Sequence, residues 1–511
     1  MITEDQSEVV AYLSSPDTHG GAEVQCLETH ASLVFLAGDL ACKLKRAVRY
    51  DYLDFSTAAR RRTMCEAELA LNRRTAPTLY LDVVAITREA DGALALAGGG
   101  EPVDWVLRMR RFDQDGLLDR LAARHALDPA LMAPLADVVA RFHASADERP
   151  DLGGADGLRR VVAGNAKDFA EHTGILDPDA CGRLTTDAQA AIAAHAARLE
   201  DRRARGMVRA CHGDLHLRNI VLLDGVPTLF DGIEFNDDLA CVDVGYDLAF
   251  LLMDLWYRDL GAHANLVLNA YLHATGDLDV LPLLPLFLSC RAAVRAKTSA
   301  AAASIGDEAR TAGLRDRARR YLALAGDLLH PDPPVLVAVG GLSGSGKSTL
   351  ARALAPLLGP APGAVVFRSD EIRKDLLGVE PLDRLGDDAY SAGMSARVYD
   401  AMADRLVAAG AFGHAAIADG VFGRAEDRAA IEAAAARAGR RVVGLWLEAP
   451  ARVLIDRVEH RTQDASDADA RIVTSQLSRD PGAITWHRIE AGGAPDAVLE
   501  QARAVIAAST G

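Results

Sequence analysis

The chain has 511 residues and a formal net charge of −16, with half of its residues hydrophobic and a quarter charged. That length exceeds what one core usually fills, so two or three domains are expected, and the ordinary globular usage excludes long disorder. The negative balance argues against general binding to nucleic acid or an anionic membrane, so any anionic ligand needs local cations.

The seven cysteines, Cys26, Cys42, Cys65, Cys181, Cys211, Cys241 and Cys290, include no C-x-x-C pair and fit a reduced, cytoplasmic protein. The opening Met-Ile-Thr-Glu-Asp-Gln lacks a basic region followed by an apolar run, and no apolar stretch of about 20 residues follows. Neither a signal peptide nor a membrane span is expected.

In chain order, the run from Ala31 to Lys45 reads as two short strands joined at Gly38-Asp39, and a helix follows from about Thr57 to Arg74. From Asp128 to Glu200 the apolar spacing is helical. Ile220 to Leu223 and Val226 to Phe230 flank Asp224-Gly225, a strong hairpin signal. Val244 to Leu260 and Leu281 to Ala325 read as helices. At His330-Pro-Asp-Pro-Pro334 the prolines forbid further helix, so the expected division is a domain over 1–328, a linker over 329–334 and a second domain over 335–511. Past the prolines, strand-like runs at Val335, Ala364, Ala415 and Val442 alternate with helical patterns. That alternation predicts an α/β domain with a mainly parallel sheet and helices on both faces, after an α+β first domain.

Within the first domain, His212-Gly-Asp214-Leu-His216-Leu-Arg-Asn219, then the hairpin, then Asp231, is spaced like a kinase catalytic loop. In H-x-D-x-x-x-x-N the Asp accepts the acceptor hydroxyl's proton, and the Asn binds Mg²⁺ together with an Asp beyond the hairpin. A kinase also needs a phosphate-binding lysine on an early strand. Lys43 and Lys45 share one strand face, with Lys43 slightly preferred. On the following helix Met64, Ala67 and Leu71 form an apolar stripe. Glu68 falls within it and Glu66 points nearly opposite, so Glu68 is the inward partner of the lysine.

Together these residues make the segment from Val24 to Leu328 resemble the aminoglycoside phosphotransferase and choline-kinase-like group, within the protein-kinase-like fold. The resemblance implies that Asp214 is the catalytic base, that Asn219 and Asp231 ligate Mg²⁺, that His212 braces the loop and that Asp247 steadies it. Two features depart from the pattern. Thr29-His-Ala-Ser32 stands where a G-x-G-x-x-G loop belongs, and Phe230-Asp231-Gly-Ile-Glu234-Phe235 replaces I-D-[FW]. Glu234 is expected either to join the metal site or to cap a turn. The cations Lys43, Lys45, Arg46, Arg49, Arg60, Arg61 and Arg62 either gather at an anionic ligand or form a solvated face.

In the second domain Gly341-Leu-Ser343-Gly344-Ser345-Gly346-Lys347-Ser348-Thr349 satisfies G-x-x-x-x-G-K-[ST], after an apolar strand and before the helical run Thr349 to Leu358. The glycines let backbone N–H groups face phosphate oxygens, Lys347 reaches the β- and γ-phosphates, and Ser348 can ligate Mg²⁺. Gly341 and Ser343 to Thr349 are the positions expected to bind ATP or GTP. Further on, Arg368-Ser-Asp370-Glu-Ile-Arg373 and Asp456-Arg457-Val-Glu-His-Arg461, with Ser466-Asp-Ala468, carry more charge. Asp370 suits the orientation of a hydroxyl beside the γ-phosphate, while Ser369 or Asp370 as a helix N-cap is the plainer reading.

The segment from Val335 to Ile506 resembles the small P-loop kinases of the polynucleotide 5′-kinase, zeta-toxin and gluconate-kinase group. That resemblance implies a proton-accepting Asp370, an acceptor-holding Arg373, and a lid whose Arg457 or Arg461 neutralises transition-state charge. It also implies that Asp419, which Arg424 and Arg428 follow, lies near Mg²⁺ or the acceptor.

The whole chain is similar to a bacterial family of fused proteins with an aminoglycoside-phosphotransferase-like half before a small P-loop kinase half. This implies a bifunctional enzyme that moves the γ-phosphoryl of Mg·ATP to a hydroxyl of a small metabolite such as a sugar, amino alcohol or nucleoside. The alternatives are that one domain is an ATP-binding switch for the other, or that the P-loop domain is a nucleic-acid end kinase. No membrane and no extended nucleic-acid partner is expected.

Overall fold

A computed structural model describes residues 3–510 apart from 30, 51–52, 305–307, 381–382 and 461–465. By packing, the chain forms two compact units, Met1–Asp254 with Cys290–Leu322, and Leu255–Ser289 with Ala323–Gly511.

The first unit holds a six-stranded sheet made of β1 (Val24–Glu28), β2 (Ser32–Ala37), β3 (Leu40–Lys45), β4 (Tyr80–Arg88), β5 (Leu94–Leu96) and β6 (Glu101–Arg110). They lie antiparallel in the order β1-β2-β3-β6-β4-β5. The two-residue period sends Phe35, Cys42, Leu44, Ile86 and Val106 to one face, against Val9 and Leu13. Leu36, Ala41, Tyr80, Leu107 and Met109 line the other, against Cys65 of helix α1 (Ala58–Asn72). Lys43 and Lys45 follow Ala41 on that second face. The hydroxyl of Thr57 caps α1 by accepting from the Arg60 N–H. The fully buried stripe of α1 is Arg61, Cys65, Glu68 and Asn72, one residue round from the apolar stripe expected from Met64, Ala67 and Leu71. The charged Arg61 and Glu68 and the polar Asn72 share this face with Cys65, which packs against the sheet.

Beyond the helices, β7 (Val208–Ala210) pairs with β10 (Cys241–Asp243). Between them the catalytic-loop segment leads into the hairpin of β8 (Ile220–Leu223) and β9 (Val226–Leu229), which turns at Asp224-Gly225 as the dipeptide predicts. Helix α2 (Val244–Tyr257) follows and carries Asp247.

The second unit holds a parallel five-stranded sheet of order β12-β13-β11-β14-β15, made of β11 (Leu336–Gly341), β12 (Val365–Arg368), β13 (Ala416–Asp419), β14 (Val442–Glu448) and β15 (His487–Glu490). Val337, Val339, Ile417, Leu445 and Ile489 pack against Leu350 and Leu354 of helix α3 (Lys347–Leu354) and against Val498, Ala502 and Ile506. Because all strands run one way, the ends of β11, β12 and β13 bring Gly341, Arg368 and Asp419 to one edge, where α/β sheets bind ligands.

Strand β15 is absent from the sequence reading, since His-Arg-Ile-Glu offers one apolar residue. The helix Gly261–Thr275, also unforeseen, covers the outer edge of β12. Asn265 Nδ2 donates to Ala364 O at 3.0 Å, and Asn269 Oδ1 accepts from Val366 N at 2.7 Å. Among the described residues no helix is long and apolar enough to cross a membrane.

Candidate active sites

In the first unit Glu68 meets both lysines of β3. Lys43 Nζ donates to Oε1 and Lys45 Nζ to Oε2, each at 2.7 Å. Each lysine has a second carboxylate: Lys43 Nζ lies 2.6 Å from Asp231 Oδ1, and Lys45 Nζ lies 2.5 Å from Glu234 Oε1. The Lys43 side chain keeps 15% exposure against 2% for Lys45, so Lys43 is the lysine that faces outward with Asp231. The buried carboxylate of Glu234 is engaged by Lys45, a partner that neither expectation for this residue included. The basic cluster does not gather at one ligand either. Arg46 pairs with Glu28, Arg60 with Asp54, Arg62 with Glu66, and buried Arg61 with Asp104.

Burial alone would lower the Lys43 and Lys45 pKa values, but the neighbouring carboxylates raise both. Burial pushes the Glu68 carboxyl up and the two ammonium groups pull it below its ordinary value. At Glu234 burial prevails, and its carboxyl is raised.

Asp231 adopts a left-handed φ of 61°, and the segment around it is tied down by the sheet and helix. Asp231 N donates to Tyr80 Oη at 3.0 Å, and Gly232 N donates to Asn72 Oδ1 at 2.9 Å. The catalytic loop is pinned just as closely. Asn219 Nδ2 donates to Asp214 O at 3.0 Å and to Asp214 Oδ2 at 2.9 Å, while His216 Nε2 stands 3.3 Å from the same oxygen. His212 Nε2 lies 2.9 Å from Phe230 O and ties the loop to the hairpin.

Behind the loop, Asp247 accepts from His212 N at 3.2 Å and Gly213 N at 2.9 Å, and stands 3.1 Å from His143 Nε2. Arg291 donates to Gly213 O at 3.0 Å while stacking on Tyr246. Burial raises the Asp214 carboxyl, but His216 and Arg295 outweigh it, so the group is held below its ordinary value and stays an ionised acceptor. At the β1–β2 connection Thr29 Oγ1 donates to Ser32 O and accepts from Ser32 N, both at 2.9 Å; His30 lies outside the described residues.

In the second unit Gly341, Gly344 and Gly346 take positive φ values of 139°, 81° and 94°. A Cβ on Gly344 would stand 2.3 Å from Leu454 O, so both backbone conformation and space require glycine there. Lys347 Nζ donates to Leu342 O at 3.1 Å. Ser348 Oγ donates to Asp419 Oδ2 at 2.6 Å, with Arg368 Nε 3.4 Å from that oxygen. Thr349 is exposed in the first turn of α3. Ser343 has a partner the sequence did not disclose: Gln476, on helix α6 (Ala470–Leu477). Its Oε1 accepts from Ser343 N at 2.8 Å, and its Nε2 donates to Ser343 Oγ at 3.1 Å.

Asp370 lies inside helix α4 (Ser369–Leu377), whose N-cap is Arg368, and no side chain caps that helix. The plain capping reading of Ser369 or Asp370 therefore fails. Burial, then the Asp419 charge, raise the Asp370 carboxyl against the pull of Arg368 and Lys347, as two close carboxylates require. Arg373 Nη1 donates to Ala389 O at 2.8 Å, with its guanidinium 4.7 Å from the centre of the Tyr390 ring. Tyr390 Oη donates to Asp467 Oδ2 at 2.7 Å. Arg457, on helix α5 (Ala451–Glu459), donates to Ala491 O at 2.9 Å and reaches Gly344 O and Ser345 O at 3.5 Å, so this expected lid cation touches the P-loop. Arg461 lies outside the described residues. Arg428 holds the carbonyls of Phe422, Pro481 and Ala483, and Arg424 pairs with Asp427.

The two halves match two families, the phosphotransferase enzyme family over residues 56–284 and the AAA domain over residues 336–480. Fold and family together define a two-domain protein of the kinase and phosphotransferase class, with an aminoglycoside-phosphotransferase-type domain before a P-loop kinase-like domain, and such domains use ATP. Over 489 residues the chain is 32% identical to "Uncharacterized protein Rv2004c" of Mycobacterium tuberculosis, a match spanning 93% of this chain and 94% of that protein, and it belongs to the same family. Among solved structures, a gluconokinase from Sinorhizobium meliloti 1021 is similar at 22% identity and TM-score 0.26, over 34% of this chain and 93% of that one. The Plasmodium vivax ethanolamine kinase is similar at 11% identity and TM-score 0.41, over 64% of this chain and 90% of that one.

Proposed function

We propose that the protein is a bifunctional phosphotransferase, each half moving the γ-phosphoryl of Mg·ATP to a hydroxyl of a small metabolite. The observation that carries this reading is the 2.6 Å contact between Lys43 and Asp231. It supports the reading because it joins the lysine proposed to bind phosphate to the carboxylate proposed to ligate Mg²⁺, 188 residues away, beside a loop whose Asp214 is held ionised.

In the first half Lys43, held by Glu68, would bind the phosphates of ATP. Asp214 would orient the acceptor hydroxyl and take its proton. Asn219 and Asp231 fit a hard cation: the Asn219 amide nitrogen is committed to Asp214, which leaves its carbonyl oxygen to ligate, and the Asp231 side chain is 44% exposed. In the second half the P-loop N–H groups and Lys347 would bind the phosphates, and the paired oxygens of Ser348 and Asp419 fit Mg²⁺. Asp370 would take the acceptor's proton, with Arg373 and Arg457 holding acceptor and phosphates. When bound, Mg²⁺ supplies charge neutralisation at the β- and γ-phosphates.

A metabolite pool incubated with γ-labelled ATP tests the reading. Wild type is expected to label acceptors of two kinds, Asp214→Ala to lose one kind and Lys347→Ala the other. ATP binding without any labelled product would favour the switch reading instead. The absence of a G-x-G-x-x-G sequence between Thr29 and Ser32, which hydrogen-bond to each other, favours that outcome for the first half.

A further inference from the structure

Two features of the first site are unexplained by a single lysine–glutamate pair. Glu68 is shared by two lysines, and the second lysine, which is almost fully buried, has a private carboxylate in Glu234. Burying an ion pair adds little stability over an apolar pair of equal volume, so Lys45 and Glu234 need another reason to be there. Position supplies one. The groups run in the order Asp231, Lys43, Glu68, Lys45, Glu234, linked by contacts of 2.6, 2.7, 2.7 and 2.5 Å. Lys45 grips Glu68 Oε2, leaving Oε1 as the only oxygen through which Glu68 holds Lys43. Glu234 in turn keeps Lys45 from adding an unbalanced positive charge to the centre of the site.

We infer that Lys45 and Glu234 are a pair of positioning residues that lock Glu68 and balance the charge behind Lys43, so that the Lys43 ammonium is presented to the phosphates of ATP at a fixed point and with a fixed field. The inference rests on ATP binding at this site. Within the low-dielectric interior the two members act on a polyphosphate in opposite senses. Loss of Lys45 leaves Glu68 held by Lys43 alone and Glu234 without its counter-charge, one negative charge too many behind the nucleotide, whereas loss of the Glu234 charge leaves one extra cation. A pair that only held the fold together would show no such opposition, because removing either member would loosen the site alike.

The test uses the full-length protein carrying Lys347→Ala, which suppresses the P-loop site, and reads Mg·ATP affinity by calorimetry with circular dichroism to verify folding. Lys43→Met is the control for the site itself. If it leaves affinity unchanged, ATP does not bind here and the proposed function of this half fails, whatever Lys45 does. With that control weakened, Lys45→Met is expected to lower affinity about tenfold and Glu234→Gln to raise it about threefold. The Lys45→Met/Glu234→Gln double variant should return to within about threefold of the parent. Equal weakening by both single variants, or a double variant no better than Lys45→Met, overturns the inference. Should Lys45→Met fail to fold, the charge-balanced double variant and Glu234→Gln still decide, since weaker binding in Glu234→Gln contradicts the assigned charge role.

Discussion

The grip on phosphate proposed for the two candidate sites is built by different means. In the first unit the grip is a set of side chains, Lys43, Glu68 and Asp231, drawn from a strand, a helix and a turn far apart in sequence, and each charge is fixed by another charge. In the second it is a continuous stretch of main chain at the end of β11, shaped by glycines with positive φ and braced by Gln476 and Arg457. A site made of side chains is sensitive to charge, whereas a site made of backbone is sensitive to shape. Substitutions chosen on that contrast should divide cleanly between the units.

The largest expected effect is at the catalytic loop. Asp214→Ala removes an ionised acceptor held by Asn219 and His216, and labelling of the first unit's acceptor should fall about 10³-fold. The same preparation should keep full labelling through the P-loop half; loss of both products would mean that the two sites are not separate activities. On the other side of the contrast, Gly344→Ala changes no charge. It nevertheless forces a Cβ to within 2.3 Å of Leu454 O at a φ that L residues avoid. Nucleotide affinity of the P-loop half is expected to fall about a hundredfold, with stability lowered by about 2–3 kcal/mol. Isothermal calorimetry in a Lys43→Met background, which suppresses the first site, reads it, and unaltered affinity would refute a grip made by the backbone.

The same contrast explains what could be read in advance. Both signature segments are local: H-x-D-x-x-x-x-N and the P-loop keep their functional groups within nine residues, so spacing alone exposes them. The Lys43–Glu68 pair was within reach because strand and helix periods place both side chains inward, even though the buried stripe of α1 turned out to be one residue displaced. The Lys45–Glu234 contact joins positions 189 apart and depends on the left-handed turn at Asp231, which no periodicity announces. Gln476 reaches Ser343 across 133 residues for a similar reason. Strand β15 escaped notice because an edge strand with one covered face needs only Ile489 to be apolar.

Asp370 tests a charge inside the backbone-built site. Burial, then Asp419, raise its carboxyl above the ordinary value, so the folded chain keeps this proton to higher pH than the unfolded chain. Below the ordinary carboxylate range, about pH 4, both states are protonated and Asp370→Asn should match wild type. As pH rises from there through the raised value, the unfolded chain ionises first, and wild type loses stability that the Asn variant keeps. Asp370→Asn should thus melt higher than wild type at neutral pH, with the gap closing on acidification, while phosphotransfer by this half falls about a hundredfold. Thermal melts across pH 4 to 8, roughly, would expose the error if the gap were independent of pH or reversed.

The smallest effect concerns Ser345, whose hydroxyl is buried in the P-loop without a hydrogen-bond partner among the described residues. A buried, unsatisfied hydroxyl costs about 1 kcal/mol or more, and Ser345→Ala removes it without touching the backbone N–H that the loop offers to phosphate. Without nucleotide, the variant is expected to be more stable by about 1 kcal/mol, visible as a rise in melting temperature. If the backbone alone makes the grip, affinity for Mg·ATP should change by less than about threefold, which calorimetry resolves. A larger loss would show that the Ser345 side chain also holds the nucleotide, and the contrast between a site of side chains and a site of main chain would then be one of degree.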